Sequence, residues 1–301
     1  MRNAVLFFAS ALLLLAVGSA WLALYPTVPA DLGGVESMDG RAAHVRIPVG
    51  DDDELDGWVV HGSRPGVVLL FAGYARDHRR MWRYGHFLNA LGLTVVTVDF
   101  RSARAWGRKP TTLGYWELRD ARATLDWVRS RAEFARSPVA LYGESLGAAA
   151  ALALAAERPD VSAVVADCPF ASGDAAIADG FRCVLHLPAF PLAQLSRQVG
   201  LWCTGQDPGR LDVTRALRAL RNRPVLLVQT RRGDRFSPDQ SDRLVAALGP
   251  GGEAWTLDDV KHTEAWLIHR EDYERRVGRF VVEHVLAGGA TAAASVRRPR
   301  P

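Results

Sequence analysis

Five residues, Gly143-Glu144-Ser145-Leu146-Gly147, follow the apolar run Val139–Tyr142 and precede the small-residue stretch Ala148–Ala156. Strand, sharp turn and helix in that order form the setting in which a G-x-S-x-G serine is exposed as a nucleophile. The chemistry indicated is acyl transfer, in which the hydroxyl attacks a carbonyl and an acyl-enzyme divides one hard step into two easier ones. Ser145 has to sit on a strained turn, and glycine at 143 and 147 removes side chains that would collide where helix and strand pack closely. The N-terminus of the following helix then faces the reaction. Its Leu146 N–H is the expected first donor to a developing oxyanion.

A serine nucleophile needs a base, and the base needs an orienting carboxylate. Around a nucleophile turn of this kind the chain order is serine, acid, histidine. Of eight histidines only His186, His262, His269 and His284 follow Ser145. His262 stands between the short β-rich run Ala254–Leu257 and the last helical stretch, where a loop reaches the sheet edge, and is the expected base. For the acid, Asp234 follows the apolar run Val225–Gln229, within Gly233-Asp234-Arg235-Phe236-Ser237-Pro238. Asp167, one strand earlier, is its rival. The second oxyanion donor is expected from Phe71-Ala72-Gly73-Tyr74-Ala75-Arg76-Asp77, where Gly73 allows close approach, Tyr74 supplies the N–H and Asp77 caps the next helix. Arg76, Arg79, Arg80 and Arg83 then share one helix face. They read as a solvated basic stripe, or alternatively as a rim favouring anionic substrates or lipid headgroups.

These residues must be held by short apolar runs alternating with helical stretches. Val67–Phe71, Thr94–Phe100, Val139–Tyr142, Ala163–Ala166 and Val225–Gln229 suit strands buried on both faces. Helices are expected near 78–91, 116–131, 146–158, 238–248 and 271–286. That alternation predicts an α/β fold with a doubly wound, mostly parallel sheet. Ala43–Pro48 and Trp58–His61 read as an opening hairpin around an acidic turn, Asp51–Glu54. The folded domain is expected over 41–287, with 171–222 as a short helical cap excursion rich in Leu, Phe and Pro. The Ala- and Arg-rich tail 288–301 reads as disordered.

Between Arg2 and Pro26 the chain is almost wholly apolar. About 22 helical residues span about 33 Å, enough for a hydrocarbon core of about 30 Å. Residues 1–25 therefore read as a signal anchor or a cleaved signal peptide, with membrane contact through 4–25 if uncleaved. Residues 26–40 read as a linker holding that segment away from the fold. Arg2 before the segment and Asp31, Glu36 and Asp39 after it place the body outside the cytoplasm. The chain carries 37 Lys and Arg against 33 Asp and Glu, and the surplus is matched by Arg2, Arg297, Arg298 and Arg300 at the ends. A neutral body argues against nucleic acid as a partner. Cys168, Cys183 and Cys203 form no CxxC pair, so no metal is expected. Cys183 and Cys203 either pair or stay free.

Residues 43–285 resemble the α/β-hydrolase superfamily, and within it an exported bacterial branch of serine hydrolases and esterases. The resemblance rests on Ala72-Gly73-Tyr74, Asp99-Phe100-Arg101, Thr112-Leu113-Gly114-Tyr115-Trp116-Glu117 with Asp120, Tyr142 to Gly147, Ala166 to Phe170, Leu187 to Leu192, Gly233-Asp234 with Phe236-Ser237-Pro238, and His262-Thr263-Glu264-Ala265. Two departures stand out: Ala72 replaces the usual His of the oxyanion loop, and Arg101-Ser102-Ala103-Arg104 replaces the usual Arg-Gly-x-Gly. The resemblance implies Ser145 as nucleophile, Asp234 as acid, His262 as base and the Tyr74 and Leu146 amides as oxyanion hole. It implies a carboxylesterase working on a small ester or acyl substrate, with no cofactor and no metal. A peptidase or thioesterase on the same residues, and a silent membrane-tethered binding module, are the alternatives.

Overall fold

The computed structural model describes residues 2–29, 37–50, 53–104 and 109–287. The tail 288–301 lies outside them, as do 30–36 of the expected linker. Eight strands form one sheet: β1 (Ala43–Gly50), β2 (Asp53–Val60), β3 (Val67–Phe71), β4 (Thr94–Val98), β5 (Val139–Glu144), β6 (Val161–Asp167), β7 (Val225–Thr230) and β8 (Gly252–Leu257). Their order is β1-β2-β4-β3-β5-β6-β7-β8, antiparallel across β1–β2–β4 and parallel elsewhere. The second strand of the hairpin begins earlier than the acidic run suggested. Asp53 and Glu54 already belong to β2, where Asp53 accepts from Arg104 Nη1 at 2.6 Å; Asp51 and Asp52 lie outside the described residues.

Every residue of β3, β4 and β5 is buried, because helices cover both faces. The helices are α1 (Arg2–Leu24), α2 (His78–Ala90), α3 (Tyr115–Ser130), α4 (Leu146–Glu157), α5 (Gly173–Asp179), α6 (Leu192–Thr204), α7 (Val213–Ala219), α8 (Pro238–Ala247), α9 (Ala265–Ile268) and α10 (Arg270–Val281). Alternation along β3 sends Val67, Leu69 and Phe71 into the layer under α3, α4, α7 and α8, and Val68 and Leu70 into the layer under α2 and α10. Helix α4 is apolar all round and is correspondingly entombed, with Leu146 to Leu152 all buried. Two carboxylates tie the edges of this frame. Asp120 on α3 holds the Arg101 main chain and guanidinium, and Glu117 accepts from Thr111, Thr112 and the Gly114 N–H. The Thr112–Asp120 motif is thus structural, fixing the chain between β4 and α3.

The cap is shorter than the expected 171–222 excursion. Helix α7 returns to the layer of α4 and α8, so only α5, a π-helical turn at Gly180–Val184 and α6 stand over the sheet edge. The three cysteines are free: Cys168 is buried, Cys183 half-buried and Cys203 exposed.

The largest departure from expectation concerns α1, which is not held away from the body. Ala16, Ala20 and Leu24 are buried, and α1 packs on α6, where Ser196 Oγ donates to the Ala16 carbonyl at 3.1 Å and lies 2.9 Å from Ser19 Oγ. Small residues let the two helices approach closely. The last carbonyls of a helix have no partner within it. Here the Tyr74 hydroxyl donates to Ala23 O at 2.9 Å, and the Thr111 N–H to Leu24 O at 2.9 Å.

Candidate active site

Loops leaving β3 and β5 diverge at the sheet's carboxyl edge, the place where open α/β sheets bind ligands. Ser145 sits there between β5 and α4 with φ +54°, a left-handed backbone that is strained for a non-glycine residue. Its N–H donates to Asp167 O at 2.7 Å. The flanking glycines are a steric necessity. A Cβ at Gly143 would lie 2.3 Å from the Gly147 carbonyl carbon, and one at Gly147 would lie 2.1 Å from Phe71 O.

His262, on the loop after β8, places Nε2 2.9 Å from Ser145 Oγ across 117 residues of chain. Phe236 packs edge-on against the imidazole at 4.9 Å. Burial pulls the imidazole down to about 3, Glu144 opposing this and Arg235 and Arg80 adding to it. The ring is thus neutral and able to accept the serine proton. Because the folded value lies below the ordinary 6.5, the unfolded chain binds the extra proton between those limits. This group's contribution to stability is therefore present above 6.5 and is lost as pH falls toward 3. The acid limb of kcat/KM should accordingly fall well below pH 6.5. A pH–rate profile with that limb at or above 6.5 would contradict the burial argument.

The two rival carboxylates are separated cleanly. Asp234, after β7 and exposed, accepts the His262 backbone N–H at 3.2 and 3.3 Å. Asp167 is fully buried on the far side of the nucleophile turn, where it accepts the Tyr273 hydroxyl at 2.7 Å; Tyr273 also meets the Tyr142 hydroxyl. Burial raises Asp167 to about 6. His269 pairs with Asp259 at 2.7 Å, and the His284 ring packs against Phe280; neither joins Ser145.

Gly73 comes within van der Waals reach of the nucleophile, since a Cβ there would lie 3.2 Å from Ser145 Cβ. The loop and turn hydrogen bonds leave the Tyr74 and Leu146 N–H groups without an acceptor among the described residues. Asp77 caps α2 by accepting the Arg79 N–H at 3.1 Å. The arginines beyond it are not a solvated stripe. Arg83 is buried, lying over the Trp266 ring, and Arg80 reaches inward. Arg80 Nε donates to Glu144 at 3.2 Å and Nη2 to Thr263 Oγ1 at 3.3 Å, so it joins the nucleophile turn to the histidine loop. Burial would raise Glu144, but Arg80, Arg83 and the Tyr84 hydroxyl at 2.8 Å outweigh it and hold the carboxyl below its usual value. Sequence reasoning missed this brace, because helical spacing alone does not say which face is covered. The charge of Glu144 inside an otherwise apolar G-x-S-x-G setting was the available signal.

A cavity of about 580 Å³ opens over Ser145. It is walled by Leu146, by Phe170 and Phe236, by the cap and by α1.

Comparison with known proteins bears on the family and the fold. Residues 62–248 match the family model described as serine aminopeptidase, S33 (Hydrolase_4). The uncharacterized protein YqkD of Bacillus subtilis is 24% identical over 238 residues, covering 78% of this chain and 77% of that protein. An uncharacterized protein of Mycobacterium tuberculosis, Rv2307c, is 27% identical over 249 residues, covering 81% and 80%. Among solved structures, the Pyrococcus furiosus esterase Pf2001 superposes with a TM-score of 0.71 at 22% identity, covering 87% of this chain and 98% of that one. The Pyrococcus horikoshii acylaminoacyl peptidase gives 0.60 at 15%, covering 81% and 41%. With an eight-stranded, mostly parallel sheet flanked by helices and a family match over more than half its length, the chain belongs to the S33 serine aminopeptidase family of α/β hydrolases.

Proposed function

We propose that this hydrolase is a carboxylesterase that works through a Ser145 acyl-enzyme. The observation that carries the reading is the 2.9 Å approach of His262 Nε2 to Ser145 Oγ at the floor of an apolar cavity. His262 takes the hydroxyl proton as Oγ attacks the ester carbonyl. The Tyr74 and Leu146 N–H groups receive the oxyanion. His262 then returns the proton to the departing alcohol, and in the second half takes one from water, which releases the acid and restores Ser145. Asp234 holds the histidine loop by accepting the His262 main-chain N–H, and its carboxylate is the one assigned to orient the imidazole. An ester fits better than a free amino-terminal peptide. Among the described residues no Asp or Glu lines the cavity to pair with an ammonium group, and its charged residues are Arg197 and Arg235.

A fluorophosphonate probe tests the reading. Wild type should be labelled at Ser145 and Ser145→Ala should not. An unlabelled wild type would leave a catalytically silent binding module as the reading.

The same proposal places the catalytic domain outside the cytoplasm on an uncleaved anchor. Helix α1 is long and apolar enough to cross a membrane, and Arg2 is its first residue. Full-length protein should sediment with membranes and resist carbonate extraction. A mature chain beginning at Trp21 or Asp31 and free of membrane would show a cleaved signal instead.

A further inference from the structure

We infer that α1 is a wall of the acyl pocket as well as an anchor, and that the substrate is a long-chain acyl ester drawn from the lipid bilayer into which α1 is inserted. The inference rests on the serine-hydrolase reading of Ser145 and extends it to a substrate class.

The cavity over Ser145 has α1 along one side, contributing Leu14, Leu15, Gly18 and Leu22. The cap supplies further wall, from the π-helical turn and α6. Three of the lining residues are glycines on three different helical segments, Gly18, Gly180 and Gly200, and a Cβ at any of them would meet nothing within 4 Å. Absent side chains on three helical segments thus leave room in a slot lined mainly by aliphatic and aromatic carbon, with Arg197 and Arg235 among its few charged groups. Polar groups would be left unpaired in such a slot, whereas an acyl chain loses only its contact with water.

The outside of the same wall is also apolar. Leu6, Leu13, Val17 and Trp21, which share a face of α1 turned away from the cavity, are largely exposed. Phe190 and Trp202 on the cap are exposed at 77% and 74%, which continues the apolar surface onto the cap. An exposed patch of this extent marks a membrane or partner surface. The length and apolarity of α1, sufficient to cross a bilayer, favour membrane as that surface. The α1–α6 contact, with its Ser19–Ser196 pair, and the Tyr74 and Thr111 bonds to the α1 carbonyls fix this wall against the oxyanion loop. Hydrocarbon therefore lies on one side of α1 and the catalytic serine on the other.

The test uses the full chain reconstituted in phosphatidylcholine vesicles, with p-nitrophenyl butyrate and p-nitrophenyl palmitate. Each methylene buried is worth about a fourfold rise in kcat/KM until the slot is full. Wild type should therefore favour palmitate by at least about a hundredfold. Gly18→Trp keeps the span apolar and fills the slot from the α1 side. It should lower the palmitate-to-butyrate ratio at least tenfold, with Gly18→Leu intermediate, while Leu13→Phe on the outer face leaves the ratio unchanged. Palmitate supplied in the protein's own vesicles should be hydrolysed at least tenfold faster than palmitate supplied in separate protein-free vesicles. If Ser145 is labelled by the fluorophosphonate and butyrate is cleaved, but Gly18→Trp and Gly18→Leu leave the ratio at the wild-type value, the wall inference is overturned alone. Equal rates from the two vesicle arms overturn uptake from the bilayer. Absence of labelling overturns the hydrolase reading and this one together.

Discussion

Ser145→Ala is expected to lower kcat for an activated ester by about 10⁶ while leaving the melting temperature close to wild type. Loss of a triad serine has an effect of that size, because the oxyanion donors and binding alone give only a small residual rate over water. The side chain makes one polar contact here, with His262 Nε2 at 2.9 Å, so removing its hydroxyl leaves no buried charge behind. His262→Ala should fall nearly as far, since without the imidazole the hydroxyl keeps its proton at neutral pH. His269→Ala and His284→Ala should stay near wild type, because those rings pack against Asp259 and Phe280. Steady-state rates on p-nitrophenyl butyrate with thermal melts measure all four. A Ser145→Ala protein keeping more than about a tenth of wild-type turnover would remove the serine from the reaction.

The second large effect separates the two acids. Asp234→Asn is expected to lose at least about 10³ in kcat/KM, roughly 4 kcal/mol of transition-state stabilisation. The imidazole has to be held in one tautomer and to carry positive charge in the transition state, and a carboxylate serves both needs where an amide serves neither. The His262 imidazole is held far below its ordinary value by burial, which makes that charge more costly and the carboxylate more valuable. Asp167→Asn should lose far less activity and be felt in stability instead. Its carboxylate accepts from Tyr273 in a fully buried network, with its other oxygen lacking a hydrogen-bond partner among the described residues. An active Asp234→Asn beside a folded but dead Asp167→Asn would move the acid one strand earlier.

How much of this could be read from the chain differs sharply between its parts. Alternation within Val67–Phe71, the all-round apolarity of α4 and the strand-to-helix steps between them are near-neighbour properties, so sequence determined the mostly parallel sheet and the position of the nucleophile turn. The glycines at 143 and 147 belong to the same class, because the collisions they avoid are with the turn itself and the adjoining strand. Ser145, Asp234 and His262 could be proposed from their places after strands, since parallel strands deliver all such loops to one edge. Tertiary structure alone decided which carboxylate stands at the His262 loop and which is sealed beneath it, for both follow strands and differ only in where their neighbours pack. It also turned Arg80 inward to join Glu144 with Thr263, which a helical repeat cannot distinguish from a solvated face. The clearest case is α1. Its composition states only that it avoids water, and a bilayer and a protein surface satisfy that equally. The small residues opposite α6 and the carbonyls met by Tyr74 and Thr111 place one face of it beside Ser145, and those contacts join residues 51 to 180 positions apart, beyond the reach of any local pattern.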